Sequence, residues 1–215
     1  AASDVYKRQI KGIIWYQGES NAHNREAHEK LFKLLVESWR KNWENENLPF
    51  YYVQLSSINR PSWPWFRDSQ RRFLTQIPHT GMAVTSDKGD SLNVHPTHKQ
   101  EVGERLAVWA LNKTYNYKNV VPSGPLFKSV SFKNGAAYIS FDYSEGLHAS
   151  DNNEIRTFEL SGDDQIFYPA KAAVVNGELK VWSDKVKEPT IVRYGWQPFT
   201  LSLIHISEPT RLALI

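Results

Sequence analysis

Two short polar segments carry the residue types that acyl-transfer chemistry needs: Gln17-Gly18-Glu19-Ser20-Asn21, and the stretch from Asp87 to His95 (DKGDSLNVH). An imidazole can take the proton of an attacking hydroxyl and later give it to a leaving group, which makes His95 the candidate general base. Asp87 and Asp90 lie just upstream and could orient its ring as the carboxylate of a catalytic triad does. Asp-rich loops also arise from turn chemistry alone. Glu19 and Gln17 flank Gly18, and a carboxylate beside an amide can orient a sugar, hold a water or simply staple the turn. Asn21 could donate to an oxyanion or cap a helix. A zinc reading of His95, His98 and Asp90 would require a further firm ligand and a defined geometry. His98 otherwise reads as solvated, and His23 and His28 as surface or cap residues.

Both segments need a scaffold that aims them at one place. Ile10 to Tyr16 (IKGIIWY) is a short apolar run that reads as a buried strand. After it, Ala27, Leu31, Phe32, Leu34, Leu35, Val36, Trp39 and Trp43 fall on an arc of about 200° at helical spacing, with charged residues on the rest of the turn. Leu48 to Leu55 (LPFYYVQL) reads as the next strand, Pro61 to Trp65 as a loop and Phe66 to Gln76 as a helix. Gly81 to Thr85 reads as a third strand. Thr97 to Tyr115 reads as a long helix opened by a Thr97/Gln100 capping box. This alternation predicts a three-layer α/β fold with a parallel sheet. Sites in such folds form beyond the carboxyl ends of the strands, where both polar segments lie. A helix start placed at His95 would also favour the neutral imidazole a base requires.

From Pro125 onward the pattern changes to short alternating runs over Ala137–Phe141, Thr157–Leu160, Ala172–Val175, Leu179–Trp182 and Thr190–Tyr194. Asn134-Gly135 and Asn176-Gly177 fall between runs and favour two-residue hairpin turns. The expectation is a small antiparallel β region.

Composition narrows the function. Lys and Arg exceed Asp and Glu by 26 − 23 = 3, too weak and dispersed an excess for a nucleic-acid footprint. No apolar run reaches the ~18 residues of a membrane-spanning helix. There is no cysteine, hence no disulfide and no Cys-ligated metal, and the compartment stays open. The 8 Trp, 10 Tyr and 10 Phe suit a packed core and also a sugar-facing cleft. The chain opens at Ala1, Met82 is its one methionine, and both ends lack structural periodicity. Residues 1–9 and 201–215 resemble translated adapter read-through and are read as a non-native leader and tail on a fragment. The remainder divides into residues 10–120, the α/β part, and residues 121–200, the β-rich part.

The run Ile13-Ile14-Trp15-Tyr16-Gln17-Gly18-Glu19-Ser20-Asn21-Ala22 resembles the Trp-x-Gln-Gly-Glu-x-Asn block of the sialate O-acetylesterase family, carbohydrate esterases of the SGNH-hydrolase type. Leu48–Leu55 is similar to that family's central strand. Thr80–Thr85, Val94-His95-Pro96 and Lys99–Ala107 are similar to its catalytic-histidine block, and Val192–Trp196 to its closing β segment. The resemblance implies a partial SGNH-like parallel sheet followed by an antiparallel β region. It implies a serine esterase that removes acetyl groups from sugar hydroxyls, with no metal or cofactor and an O-acetylated carbohydrate as partner. Neither nucleic acid nor membrane is an expected partner, and the family's expected location is extracellular or periplasmic. By this resemblance His95 is the base, Asp90 or Asp87 its orienter, and Gln17, Gly18, Glu19 and Asn21 line the oxyanion and sugar side.

Two departures stand out. The family's nucleophile sits in an N-terminal Gly-x-Ser-type block, which is not found here, and Gly18-Glu19-Ser20 belongs to a different block. The chain itself is therefore expected to be inactive. Many SGNH enzymes also carry Asp three residues before the histidine, where this chain has Leu92, and Asn93 stands where some relatives have Asp. The alternatives are an acetylxylan esterase, with the same chemistry on plant polysaccharide, and a non-catalytic carbohydrate-binding protein.

Overall fold

A computed structural model describes residues 9–149, 152–200 and 204–205. The leader expected at residues 1–9 thus lies outside the described residues except for Gln9, and the tail expected at 201–215 except for 204–205. Strands β1 (Ile13–Trp15), β2 (Phe50–Gln54) and β3 (Thr80–Val84) form a parallel sheet in the order β1-β2-β3. Helices α1 (Arg25–Asn42) and α2 (Trp63–Gln76) cover one face. There Phe32, Val36 and Phe73 join Phe50, Tyr52, Met82 and Val84 in one core. Helix α3 (Lys99–Trp109), continued by a wider turn over Ala110–Thr114, covers the other face through Val102, Leu106 and Trp109 against Tyr51, Val53 and Ala83. All five residues of β2 are buried, as expected of a central parallel strand.

The buried stripe of α1 is narrower than the arc expected from its sequence. His28, Phe32, Val36 and Arg40 are buried at a spacing of four, while Leu31 and Leu34 lie on the exposed side. A three-stranded sheet that also seats α2 offers a footprint about one stripe wide. Arg40 sits in that stripe because its stem packs while its guanidinium donates to the carbonyls of Leu48 (3.1 Å) and Pro78 (2.6 Å). Reading His28 as a surface or cap residue is corrected here, since its ring is buried against Phe32, Phe66 and Phe73.

The start of α3 also departs from expectation. No capping box forms: the helix begins at Lys99, and the Gln100 amide donates forward to Glu104. Pro96 disfavours helical backbone at His95, so the turn cannot begin there. The helix dipole fades within about one turn, and it no longer argues for a neutral His95.

The antiparallel region forms a six-stranded sheet in the order β10-β7-β8-β9-β5-β4. Its strands are β4 (Leu126–Lys133), β5 (Ala136–Asp142), β7 (Ile155–Ser161), β8 (Tyr168–Val175), β9 (Glu178–Trp182) and β10 (Ile191–Tyr194). A short pair joins β6 (His148–Ala149) to β11 (Ile204–His205). Asn134 and Gly135, with φ of 50° and 71°, and Asn176 and Gly177, with 52° and 80°, make the mirror-image turns that match strand twist. Ala137, Ile139, Phe158, Leu160, Leu179 and Val181 are continuous with the core under α1.

Beside this shared core, the two parts are also joined by a polar cluster. Arg67 of α2 is 2% exposed and donates to Ser57 Oγ (3.0 Å), to the Gly195 carbonyl (3.1 Å) and to the Gln197 carbonyl. Ser57 Oγ in turn donates to the Thr200 carbonyl at 2.7 Å. No carboxylate pairs with this guanidinium among the described residues, and burial lowers its pKa to about 10.

Candidate active site

The Gln17–Asn21 segment leaves the carboxyl end of β1 and turns through a short helical bend at Glu19–Asn21 before α1. Gly18 is required on two counts. Its φ of 148° strains any L side chain, and a Cβ there would meet the Phe66 ring at 2.9 Å. Asn24, not Asn21, caps α1, its side chain accepting from the Ala27 N–H at 3.2 Å. Asn21 instead places its amide nitrogen 3.2 Å from His28 Nδ1.

That contact uses His28 Nδ1 as acceptor, so the ring is neutral with its proton on Nε2. Burial pushes the His28 pKa down from 6.5 to about 4. The unfolded chain therefore binds more protons between those values, and stability rises with pH through that window. The neutral-ring contribution is complete above pH 6.5 and is lost as pH falls toward 4. The shift is worth roughly 3 kcal/mol at full value and about 2 kcal/mol after solvent screening. His28→Phe should flatten the fall in stability across this pH range, measured by denaturant unfolding at several pH values. An unchanged profile would refute the assignment.

The Asp87–His95 segment leaves the carboxyl end of β3. Asp87 is held by Arg105 of α3 through two bonds of 2.6 and 2.7 Å, and Arg105 also donates to the Val84 carbonyl at 2.6 Å. Both Asp87 oxygens thus tether the segment to its helix. Asp90 Oδ1 accepts the N–H groups of Leu92 (2.8 Å) and Asn93 (3.0 Å), contacts that lower its pKa. Asn93 Oδ1 accepts the His95 N–H at 2.9 Å. The His95 ring is exposed, and no hydrogen bond reaches it among the described residues. Leu92 is 88% exposed. His98 is exposed, with Nδ1 3.4 Å from Glu101. The described residues contain no group of three or more His, Cys, Asp or Glu arranged to hold a metal ion.

One apolar floor carries both segments. Ala22, Leu55, Ile58, Trp63 and Phe66 form it, with Tyr16 and Val94 packed against them. Tyr16 immediately precedes the first segment, and Val94 immediately precedes His95. Lys99 Nζ stands 4.4 Å from the Tyr16 ring centre, a second link between the loops. The Tyr16 hydroxyl has its pKa raised by burial and then by the Glu19 charge. Gly89 docks the histidine loop on the β2–α2 connection: a Cβ there would lie 2.0 Å from the Ser57 carbonyl oxygen, and the Asn59 N–H donates to the Ser91 carbonyl at 3.0 Å.

Gly89→Ala should therefore cost about 2 kcal/mol, since backbone has to move to admit the methyl group. It should also shift the His95 ring resonances in an NMR spectrum. Wild-type stability with unmoved resonances would show that the loop is not clamped there.

Residues 1–112 match the family model for a carbohydrate esterase, sialic acid-specific acetylesterase. The chain belongs to this family. It is 32% identical over 176 residues to a sialate O-acetylesterase of Mus musculus, covering 71% of this chain and 32% of that protein. A second, from Rattus norvegicus, is 31% identical over 216 residues, covering 87% of this chain and 39% of that protein. A solved carbohydrate acetylesterase from Xanthomonas citri superposes with a TM-score of 0.89 at 33% identity, over 96% of this chain and 50% of that one. This esterase-family chain thus has the SGNH-like α/β fold and spans about a third of the length of those curated relatives.

Three features of this esterase-family chain were not anticipated from its sequence: the Asp87–Arg105 pair, the Asn21–His28 contact and the Phe66 floor. A signal existed for His28, which lies four residues before Phe32 and eight before Val36. None existed for Arg105, whose partner is 18 residues away across a loop.

Proposed function

We propose that this chain is the histidine-bearing part of a serine O-acetylesterase acting on O-acetylated sugars, with sialic acid as the substrate class. The observation that carries the reading is the convergence of the Gln17–Asn21 and Asp87–His95 segments over one apolar floor at the carboxyl ends of parallel strands. The names of the related proteins support the chemistry. In this reading His95 takes the proton of a serine hydroxyl as it attacks the acetyl carbonyl, then delivers it to the sugar oxygen as the C–O bond breaks. Water then hydrolyses the acetyl-serine by the same proton path. Gln17, Gly18, Glu19 and Asn21 line the oxyanion and sugar side. Asn21 has a second amide hydrogen beyond the one directed at His28. Asp90 or Asp87 would orient the His95 ring; both Asp87 oxygens accept from Arg105 and Asp90 Oδ1 accepts two backbone N–H groups, which leaves each carboxylate further lone pairs.

The nucleophile is assigned to a block outside these 215 residues. The isolated chain should accordingly show no hydrolysis of p-nitrophenyl acetate above background, while a longer form carrying the serine block should release acetate from O-acetylated sialic acid. Burst kinetics in the isolated chain, abolished by Ser20→Ala, would overturn that assignment.

A further inference from the structure

On the first turns of α1 and α2 the surface carries an aromatic and cationic group that the ester chemistry does not use. Trp65, on the first turn of α2, is 52% exposed. The Trp196 ring packs edge-on against it, with centroids 4.8 Å apart at 87°. Trp196 is backed by Arg193, whose guanidinium lies 5.5 Å from that ring and 3.6 Å from the Phe167 ring, and which is tied to Glu159 at 2.8 Å. Arg25, the first residue of α1, sits 5.8 Å from the Trp65 ring centre. It makes long ion pairs with Glu29 at 3.8 Å and Glu26 at 3.9 Å, neither of them a hydrogen bond. Glu29 is engaged instead by Arg72 at 2.6 Å.

The shelf is joined to the candidate site through residues that neighbour it along the chain. Phe66, the residue after Trp65, is the ring on which Gly18 rests, and Arg25 follows Asn21 by four residues. An exposed indole offers a flat surface to the C–H face of a pyranose. A guanidinium whose ion pairs are long and make no hydrogen bond can still donate to an acidic substituent on that ring.

We propose that Trp65, steadied by Trp196, and Arg25 form a subsite for a carboxylate-bearing sugar, with Trp65 as the stacking surface and Arg25 as the carboxylate donor. The proposal rests on the sugar-esterase reading above and deepens it. It assigns the discrimination of acidic from neutral acetylated sugars to Arg25.

The test is a titration of the 215-residue chain with N-acetylneuraminic acid and, separately, with a neutral xylo-oligosaccharide, followed by tryptophan fluorescence and by ligand-observed NMR. Trp65→Ala should weaken binding of the acidic sugar roughly tenfold, and Trp65→Phe should restore part of it. Arg25→Gln should weaken the acidic sugar by roughly tenfold and leave the neutral one unchanged. Equal losses for both sugars on Arg25→Gln would overturn the carboxylate assignment. Insensitivity to both substitutions, or no saturable binding by the folded chain, would overturn the subsite. Binding needs no hydrolysis, so a shelf that behaves as described in a longer form lacking esterase activity would sink the esterase reading alone. An active longer form whose KM ignores Trp65→Ala would sink the shelf alone.

Discussion

His95→Ala in a longer, active form of the protein should lower kcat by about 10³-fold with little change in KM. General-base catalysis is worth roughly 10² to 10⁴ in rate, and removing one member of a triad leaves only what the oxyanion donors and binding supply. The His95 ring is exposed and is not held by any described side chain, so its loss would remove the proposed proton carrier without opening a cavity. The stability of the variant should match that of the parent. The measurement is a comparison of kcat and KM on O-acetylated sialic acid, with melting curves as the control. A variant keeping more than about a tenth of the parental kcat would remove His95 from the mechanism.

Arg67→Met should be the most destabilising of the substitutions considered, costing about 3 kcal/mol. Methionine preserves much of the stem volume but donates nothing. The buried Gly195 carbonyl and Ser57 Oγ then lose their charged donor, as does the Gln197 carbonyl on an exposed residue, and a buried polar group left unpaired costs about 1–3 kcal/mol. Relief from burying an unpaired cation offsets part of this, the same desolvation that lowers the Arg67 pKa to about 10. For a domain of this size the loss corresponds to a fall in Tm of about 6–12 °C. Thermal melts followed by circular dichroism would show it. A change under about 1 kcal/mol would mean the seam is held by packing alone.

Local pattern was legible wherever a single element decided its own form. The β-rich run LPFYYVQL, the amphipathic α1 and the two Asn-Gly turns are short-range signals, and each produced the element expected. β4 was not marked, because much of Leu126–Lys133 is exposed on an outer strand and its pattern is weak. The capping box failed because α3 begins one residue later than the pattern requires, with His98 at the cap position, and the Gln100 amide turns forward to Glu104. The two chemical loops were identified from residue type and from their place after strands. What they do to one another depends on distant partners. Asp87 carries an Arg105 pair that its loop gives no hint of, and His28 looked like a surface residue until Phe66 and Phe73 closed over it. Contacts of that kind follow from packing, which periodicity does not encode.

The Arg67 clamp also sets an order of events during synthesis. Its carbonyl partners at Gly195 and Gln197 lie 128 and 130 residues further along the chain. At ~5–20 residues per second, a ribosome needs on the order of ten seconds to make that stretch. Through that interval the nascent α2 carries a guanidinium with Ser57 Oγ in reach but neither of its two carbonyl acceptors yet made, so it must remain partly hydrated and its surroundings open. The parallel sheet and its helices therefore cannot close completely on their own as they emerge. They wait for almost the last part of the antiparallel region, and a holding chaperone that bound near α2 would act in that window.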